Sequence, residues 1–341
     1  MKKGLSYAVI VSCLIGVSAI LSLLGCEGKQ GPAGPAGPAG ADGTALCGTC
    51  HSVSTEVKAK IIQWQASGHA TGGHFDRNST SCAICHTSEG FRERLVTGAT
   101  TTAAVIQNPT PPNCRTCHNI HTNYDESDFN LSYTAPVTLL INGETVDFGE
   151  GNLCAMCHQP RPVSPMPVLN GSDVTISSRF GGHHGTQAAT LGGTGYFEIQ
   201  GTEPYTNSSH TTMVTEGCTT CHMADAVGDK SGGHTLKMAY ESEGREVQNV
   251  AGCKACHSDI TSFDVNGVQT DVEELLAELK AKLIKVGIYD ESTDLAKPGT
   301  WTALQAGAYL NYQMASEDRS EGVHNAKYIK AVLKNSIAAL P

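Results

Sequence analysis

The chain has 341 residues, a formal net charge of −10 and 14 cysteines, far more thiols than an ordinary cytosolic enzyme of this length carries. The acidic balance argues against a nucleic-acid binder. Aromatic residues at 6 % and charged residues at 16 %, beside 37 glycines, give a thin, loop-rich interior that apolar side chains alone do not fill.

In chain order, Lys2 and Lys3 precede an apolar stretch from Ala8 to Leu24, the pattern of an export signal over residues 1–25. Cys13 lies inside that stretch and carries no role. The signal ends in Leu23-Leu24-Gly25-Cys26, which resembles the lipobox of bacterial lipoproteins. The resemblance implies cleavage before Cys26 and lipidation of its thiol. No later segment is apolar for long enough to span a bilayer, so the expected mature protein is soluble apart from an acyl anchor. From Gly28 to Ala45, glycine recurs at every third position, including three Gly-Pro-Ala triplets. A short collagen-like run of this kind reads as an extended stalk over residues 26–46, reaching roughly 50 Å at about 3.1 Å per residue.

Residues 47–262 show little helical or strand periodicity and are rich in Gly, Thr, Ser, Asn and His. Twelve of the cysteines recur there as six Cys-x-x-Cys-His units: Cys47-Cys50-His51, Cys82-Cys85-His86, Cys114-Cys117-His118, Cys154-Cys157-His158, Cys218-Cys221-His222 and Cys253-Cys256-His257. Zinc ribbons and disulfide frameworks also use paired cysteines, but neither requires a histidine after every pair. The unit is the attachment signature of c-type haem, whose vinyl groups take the thiols as thioethers and whose iron takes the adjoining imidazole. Six covalently bound c-type haems are therefore expected, with His51, His86, His118, His158, His222 and His257 as proximal ligands.

The fold class that follows is a mostly irregular multihaem cytochrome c with few short helices, little sheet and a C-terminal helical cap over residues 263–341. In that cap, Thr270 with Glu273 reads as a capping box, followed by Val272, Leu275, Leu276, Leu279, Leu283 and Ile284 at helical spacing up to Gly287. A second helix is expected from near Trp301 past Met314. A third carries Tyr328, Ile329, Val332, Leu333, Ile337 and Leu340 on one face.

What fills each iron's sixth position separates an electron carrier from an enzyme. Eight histidines lie outside the motifs, namely His69, His74, His121, His183, His184, His210, His234 and His324, more than six irons need. The contexts Ser-Gly-His69-Ala, His118-Asn-Ile-His121, His183-His184-Gly, Asn-Ser-Ser-His210, Gly-Gly-His234-Thr and Gly-Val-His324-Asn resemble distal-ligand contexts of bacterial multihaem c-type cytochromes. That resemblance covers residues 47–341. It points to outer-membrane and extracellular electron-transfer cytochromes of metal-reducing bacteria, including hexahaem subunits of cytochrome filaments, from which the stalk and lipobox depart. His69, His121, His183, His210, His234 and His324 are the expected distal ligands. His183 is preferred to His184 because adjacent extended residues point in opposite directions, and His74 is placed beside a ligand or at the surface. Haems with two imidazoles leave no open iron, so electron transfer rather than catalysis is expected. Redox partner proteins, extracellular metal oxides, a membrane engaged through the lipid anchor and self-assembly are the expected partners, at the periplasmic or outer face of an outer membrane. The rival readings are a nitrite- or hydroxylamine-type multihaem reductase with one open haem, and a filament subunit.

Overall fold

A Cys-x-x-Cys-His unit spans little more than one helical turn, and the backbone winds accordingly into single turns at Ala83–His86, Cys114–Cys117, Asn152–Ala155 and Cys218–His222. In four units the histidine amide donates to the carbonyl of the first cysteine, at 3.1 Å for His86 and 2.8 Å for His118, His158 and His257. That bond places both thiols on one side of the turn and sends the imidazole off its end. The computed structural model describes residues 55–72 and 74–341, all within one compact unit. The first motif, Cys26, the export signal and the stalk lie outside the described residues.

Two longer helices interrupt the irregular chain early: α1 (Thr55–Gln65) and α2 (Ser88–Thr97). The Thr87 hydroxyl caps α2 by accepting from the Gly90 amide at 3.0 Å, and Gly98 ends it at φ 69°, a left-handed turn open to glycine. The short helix α3 (Gln187–Gly192) follows. Sheet is confined to two-stranded antiparallel ribbons: β1 (Val137–Thr138) with β2 (Thr145–Val146), β3 (Val174–Ile176) with β8 (Gly299–Trp301), β4 (Ala239–Ser242) with β5 (Arg245–Gln248), and β6 (Tyr289–Asp290) with β7 (Leu295–Ala296). The architecture is loop-rich with short helices and little sheet, as expected.

The cap consists of α4 (Val268–Val286), α5 (Ala303–Asp318) and α6 (Ala326–Ala339). The start of α4 differs from the expected capping box. Thr270 already lies in the first turn, and Asp264 does the capping: its carboxylate accepts from the Gln269 and Thr270 amides at 2.7 and 3.3 Å and from the Thr270 hydroxyl at 2.7 Å. The turn over Val265–Gly267 starts the helix before the Thr-x-x-Glu pattern begins. A true capping box forms one helix later, between Thr302 and Gln305.

Leu279, Leu283, Leu310, Met314, Val332 and Leu333 are fully buried where the three helices meet. The same core takes in Val137, Leu139, Ile176, Ala189, Phe197 and Ile199, so the cap and residues 137–199 share one interior. Between Ile199 and Val272, in contrast, no apolar side chain is buried. The stretch holding the fifth and sixth motifs has no hydrophobic core of its own.

Buried asparagines fasten the irregular chain to the helices. Asn311 on α5 accepts from the Phe197 amide at 2.8 Å, donates to the Phe197 carbonyl at 2.7 Å and reaches the Ser336 hydroxyl on α6 at 3.0 Å. Asn335 on α6 brackets Glu203 in the same way, at 3.1 and 2.9 Å, and Asn325 accepts from the Ser208 amide at 2.9 Å. Each amide side chain satisfies backbone groups that a loop cannot pair internally. Gly307 lets α5 approach this segment, since a Cβ there would lie 2.0 Å from the Phe197 ring. Asn311→Ala strands both buried backbone groups of Phe197 and is expected to cost about 3 kcal/mol, read as a lowered denaturant midpoint of the haem-loaded protein.

Candidate functional site

Two imidazoles on opposite sides of one metal, each nitrogen about 2 Å from it, have ring centroids roughly 6 Å apart once the ring radii are added. Every motif histidine among the described residues has a non-motif ring at that separation. His158 faces His69 at 6.0 Å, His118 faces His234 at 6.1 Å, His257 faces His210 at 6.2 Å and His222 faces His324 at 6.4 Å. His86 has two such neighbours, His183 and His74, both at 6.2 Å. The motif cysteines from Cys82 to Cys256 are free thiols, unpaired as disulfides and therefore available for thioether attachment.

In five of these histidines one ring nitrogen is already committed. The Nδ1–H of His118 donates to the Phe129 carbonyl at 2.7 Å, that of His222 to Leu236 at 3.0 Å and that of His210 to Val323 at 2.5 Å. A carbonyl can only accept, so the proton sits on Nδ1 and the Nε2 lone pair is left for a metal. His158 makes a longer contact to the Gln187 side-chain oxygen at 3.4 Å, and His324 Nδ1 meets the Asp318 carboxylate at 2.8 Å. Burial, followed by the charge of His158, pushes His69 down to about 4. Burial and then His184 bring His183 to about 4 as well. His234 is lowered by burial and then by His118. These rings are neutral at pH 7, the form that ligates.

Local structure explains how each distal candidate is presented. His69 sits in the one-turn helix Gly68–Thr71 capped by the buried Ser67 hydroxyl, and the His234 amide donates to Gln63 of α1 at 3.1 Å. His183, directly after Gly182, has φ 67°, a left-handed conformation that costs energy in a non-glycine residue, as does His121 at φ 65°. The loop of His121 is drawn tight by the buried Asp128 carboxylate, which accepts the amides of His121, Thr122, Asn123 and Tyr124 at 2.7–3.3 Å. His184 turns away from His86 and pairs with Glu317 at 2.8 Å, its side chain 70 % exposed. The exposed His74 stands beside His86 with the same ring separation as His183, so ring distance does not choose between them. His51, the motif histidine left over for His121, lies outside the described residues.

The motifs also touch one another. Cys85 Sγ lies 4.0 Å from the Met156 carbonyl and Cys157 Sγ 3.9 Å from the Ile84 carbonyl, a reciprocal contact that sets the second and fourth motifs side by side. Arg94 of α2, buried, donates to the Met156 carbonyl at 2.5 Å and reaches Cys85 Sγ at 3.9 Å, tying both motifs together. Cys218 contacts the Gly151 carbonyl at 3.9 Å, beside the fourth motif, and Gly252, just before Cys253 of the sixth motif, packs so closely on the fifth that a Cβ there would lie 2.5 Å from the Thr220 carbonyl and 3.0 Å from Cys221 Cα. Arg94, Gln187 and Asp318 escaped sequence reasoning because nothing in their local sequence ties them to a particular histidine or cysteine.

No protein-family model and no curated protein matches the chain. The fold defined by these loops and short helices is a multihaem-cytochrome fold. It is similar to the crystal structure of the outer cell wall cytochrome OcwA, with a TM-score of 0.52 at 20 % identity over 83 % of this chain and 50 % of that one. The chain thus spans half the length of that cytochrome, and the likeness is one of fold. Arg94→Ala leaves the Met156 carbonyl without its charged donor and should lower stability by about 2 kcal/mol, whereas Arg92→Ala on the exposed face of the same helix should change little; denaturant titration of the two variants compares them.

Proposed function

We propose that this chain is a multihaem c-type cytochrome that transfers electrons through six covalently attached haems, each held between two histidines. The observation that carries the reading is that no motif histidine among the described residues lacks an opposing ring at 6.0–6.4 Å. Haem held there would supply a one-electron iron couple, its iron bound by the paired histidines. The protein's own contribution is attachment through the paired thiols, orientation of the imidazoles by Nδ1 hydrogen bonds and close packing of successive motifs. His121 is assigned to the ring of His51, and His183 to that of His86, because His183 is the more enclosed of its two neighbours and is held in a strained backbone conformation.

The motif contacts support an array in which the fourth unit adjoins the second and fifth, and the fifth adjoins the sixth. The export signal, Cys26 and the glycine-repeat stalk support a lipid-anchored protein at the cell surface, passing electrons to partner proteins or extracellular metal oxides. Likeness to a cytochrome of an outer cell wall fits that setting. A reductase would need an iron with no opposing ring, and a filament subunit would need a ring supplied by a second copy.

Mass spectrometry of the matured protein should show six added haems, and Cys218→Ala with Cys221→Ala should remove one. His69→Ala should keep six haems but render one iron high-spin and able to bind carbon monoxide in the reduced state, a behaviour absent from the unaltered protein and from His184→Ala. Stoichiometric carbon monoxide binding by the unaltered protein would instead favour the reductase.

A further inference from the structure

The hydrogen bond to His324 differs in kind from those to the other rings. His118, His222 and His210 give their Nδ1 protons to neutral backbone carbonyls, and His158 contacts a neutral amide oxygen. Of these five rings His324 alone meets a carboxylate, Asp318 Oδ1 at 2.8 Å, whose side chain is 2 % exposed. No lysine or arginine pairs with Asp318 among the described residues, and its other partner is the neutral Ser320 hydroxyl. The Ser320 hydroxyl also accepts from the His324 amide at 3.2 Å, which fixes the ring's own backbone to the same group.

The placement is costly. Asp318 is the last residue of α5, next to Glu317, at the end of a helix where the macrodipole disfavours negative charge. A buried carboxylate needs compensation as well. Violations of local rules of this kind are expected at functional or strained sites.

We infer that Asp318 is a positioning residue that tunes the iron held between His222 and His324 toward a lower reduction potential. The inference rests on the two-histidine reading proposed above. A carboxylate on Nδ1 strengthens the lone pair that His324 offers through Nε2. A negative charge held out of water near the iron favours the ferric form, which carries one more positive charge than the ferrous form. Because the fifth motif packs against residues of both the fourth and the sixth, this centre falls within the array and not at its edge.

The test is a spectroelectrochemical titration of the full haem-loaded protein beside Asp318→Asn, which keeps the hydrogen-bonding shape and removes the charge. One midpoint should rise, with the reduction equilibrium of that centre shifting at least about tenfold, or about 59 mV for one electron, while the others stay in place and every iron stays low-spin. Ser320→Ala, which leaves the carboxylate to His324 alone, should move the same midpoint in the opposite direction and serves if the Asn variant does not mature. An unmoved set of midpoints in a six-haem, low-spin Asp318→Asn protein, or in Ser320→Ala, overturns the role of Asp318. His324→Ala separates this from failure of the underlying reading: an iron that turns high-spin upholds the histidine pair, and a fully low-spin spectrum refutes the pair and the inference together.

Discussion

On the proposed reading a motif histidine supplies one ring to each iron and the second comes from elsewhere in the chain; that pairing of distant rings is the constraint that organises the rest of the molecule. His69 reaches forward to His158, His118 to His234 and His222 to His324, while His210 serves the later His257. Each pairing closes a long loop, an entropic cost that grows slowly with loop length and is offset only if the contact is strong. A metal between two imidazoles is strong enough, where two weakly contacting rings are not. Residues 200–267 bury no apolar side chain, so cross-links of this kind are what can organise that stretch.

The helical cap is the counterweight. Its helices and the segment around Phe197 share one hydrophobic interior, and Asn311, Asn325 and Asn335 bind the adjoining loop by its backbone. The loop after α5 then delivers His324 to His222, so the part of the chain that folds around its own side chains also holds a ring for the part that does not. Asp318, which bonds to His324, is carried by a helix anchored in that core.

Much of this was legible in the residues. The Cys-x-x-Cys-His units locate the motif turns because the spacing itself makes a helical turn, and the apolar periodicity of residues 268–286 and 326–339 locates α4 and α6 because burial of one face is what stabilises them. The start of α4 was misread because a distant-looking carboxylate, Asp264, competes with Thr270 for the cap and wins. Which histidines meet was not legible, since pairing depends on how loops close in three dimensions. The separation of His183 from His184 needed the position of Glu317, and the closeness of His74 to His86 has no signature in spacing. Asp318 and the asparagine clamps are single polar residues in helices, indistinguishable in sequence from solvent-facing ones.

The central claim is that each haem iron lies between two histidines of this chain. A low-temperature electron paramagnetic resonance spectrum of the oxidised protein, with spins quantified against total haem, tests it most directly. The account predicts that all the iron is low-spin, with no high-spin ferric signal above trace level; a high-spin signal amounting to one iron per chain would contradict it.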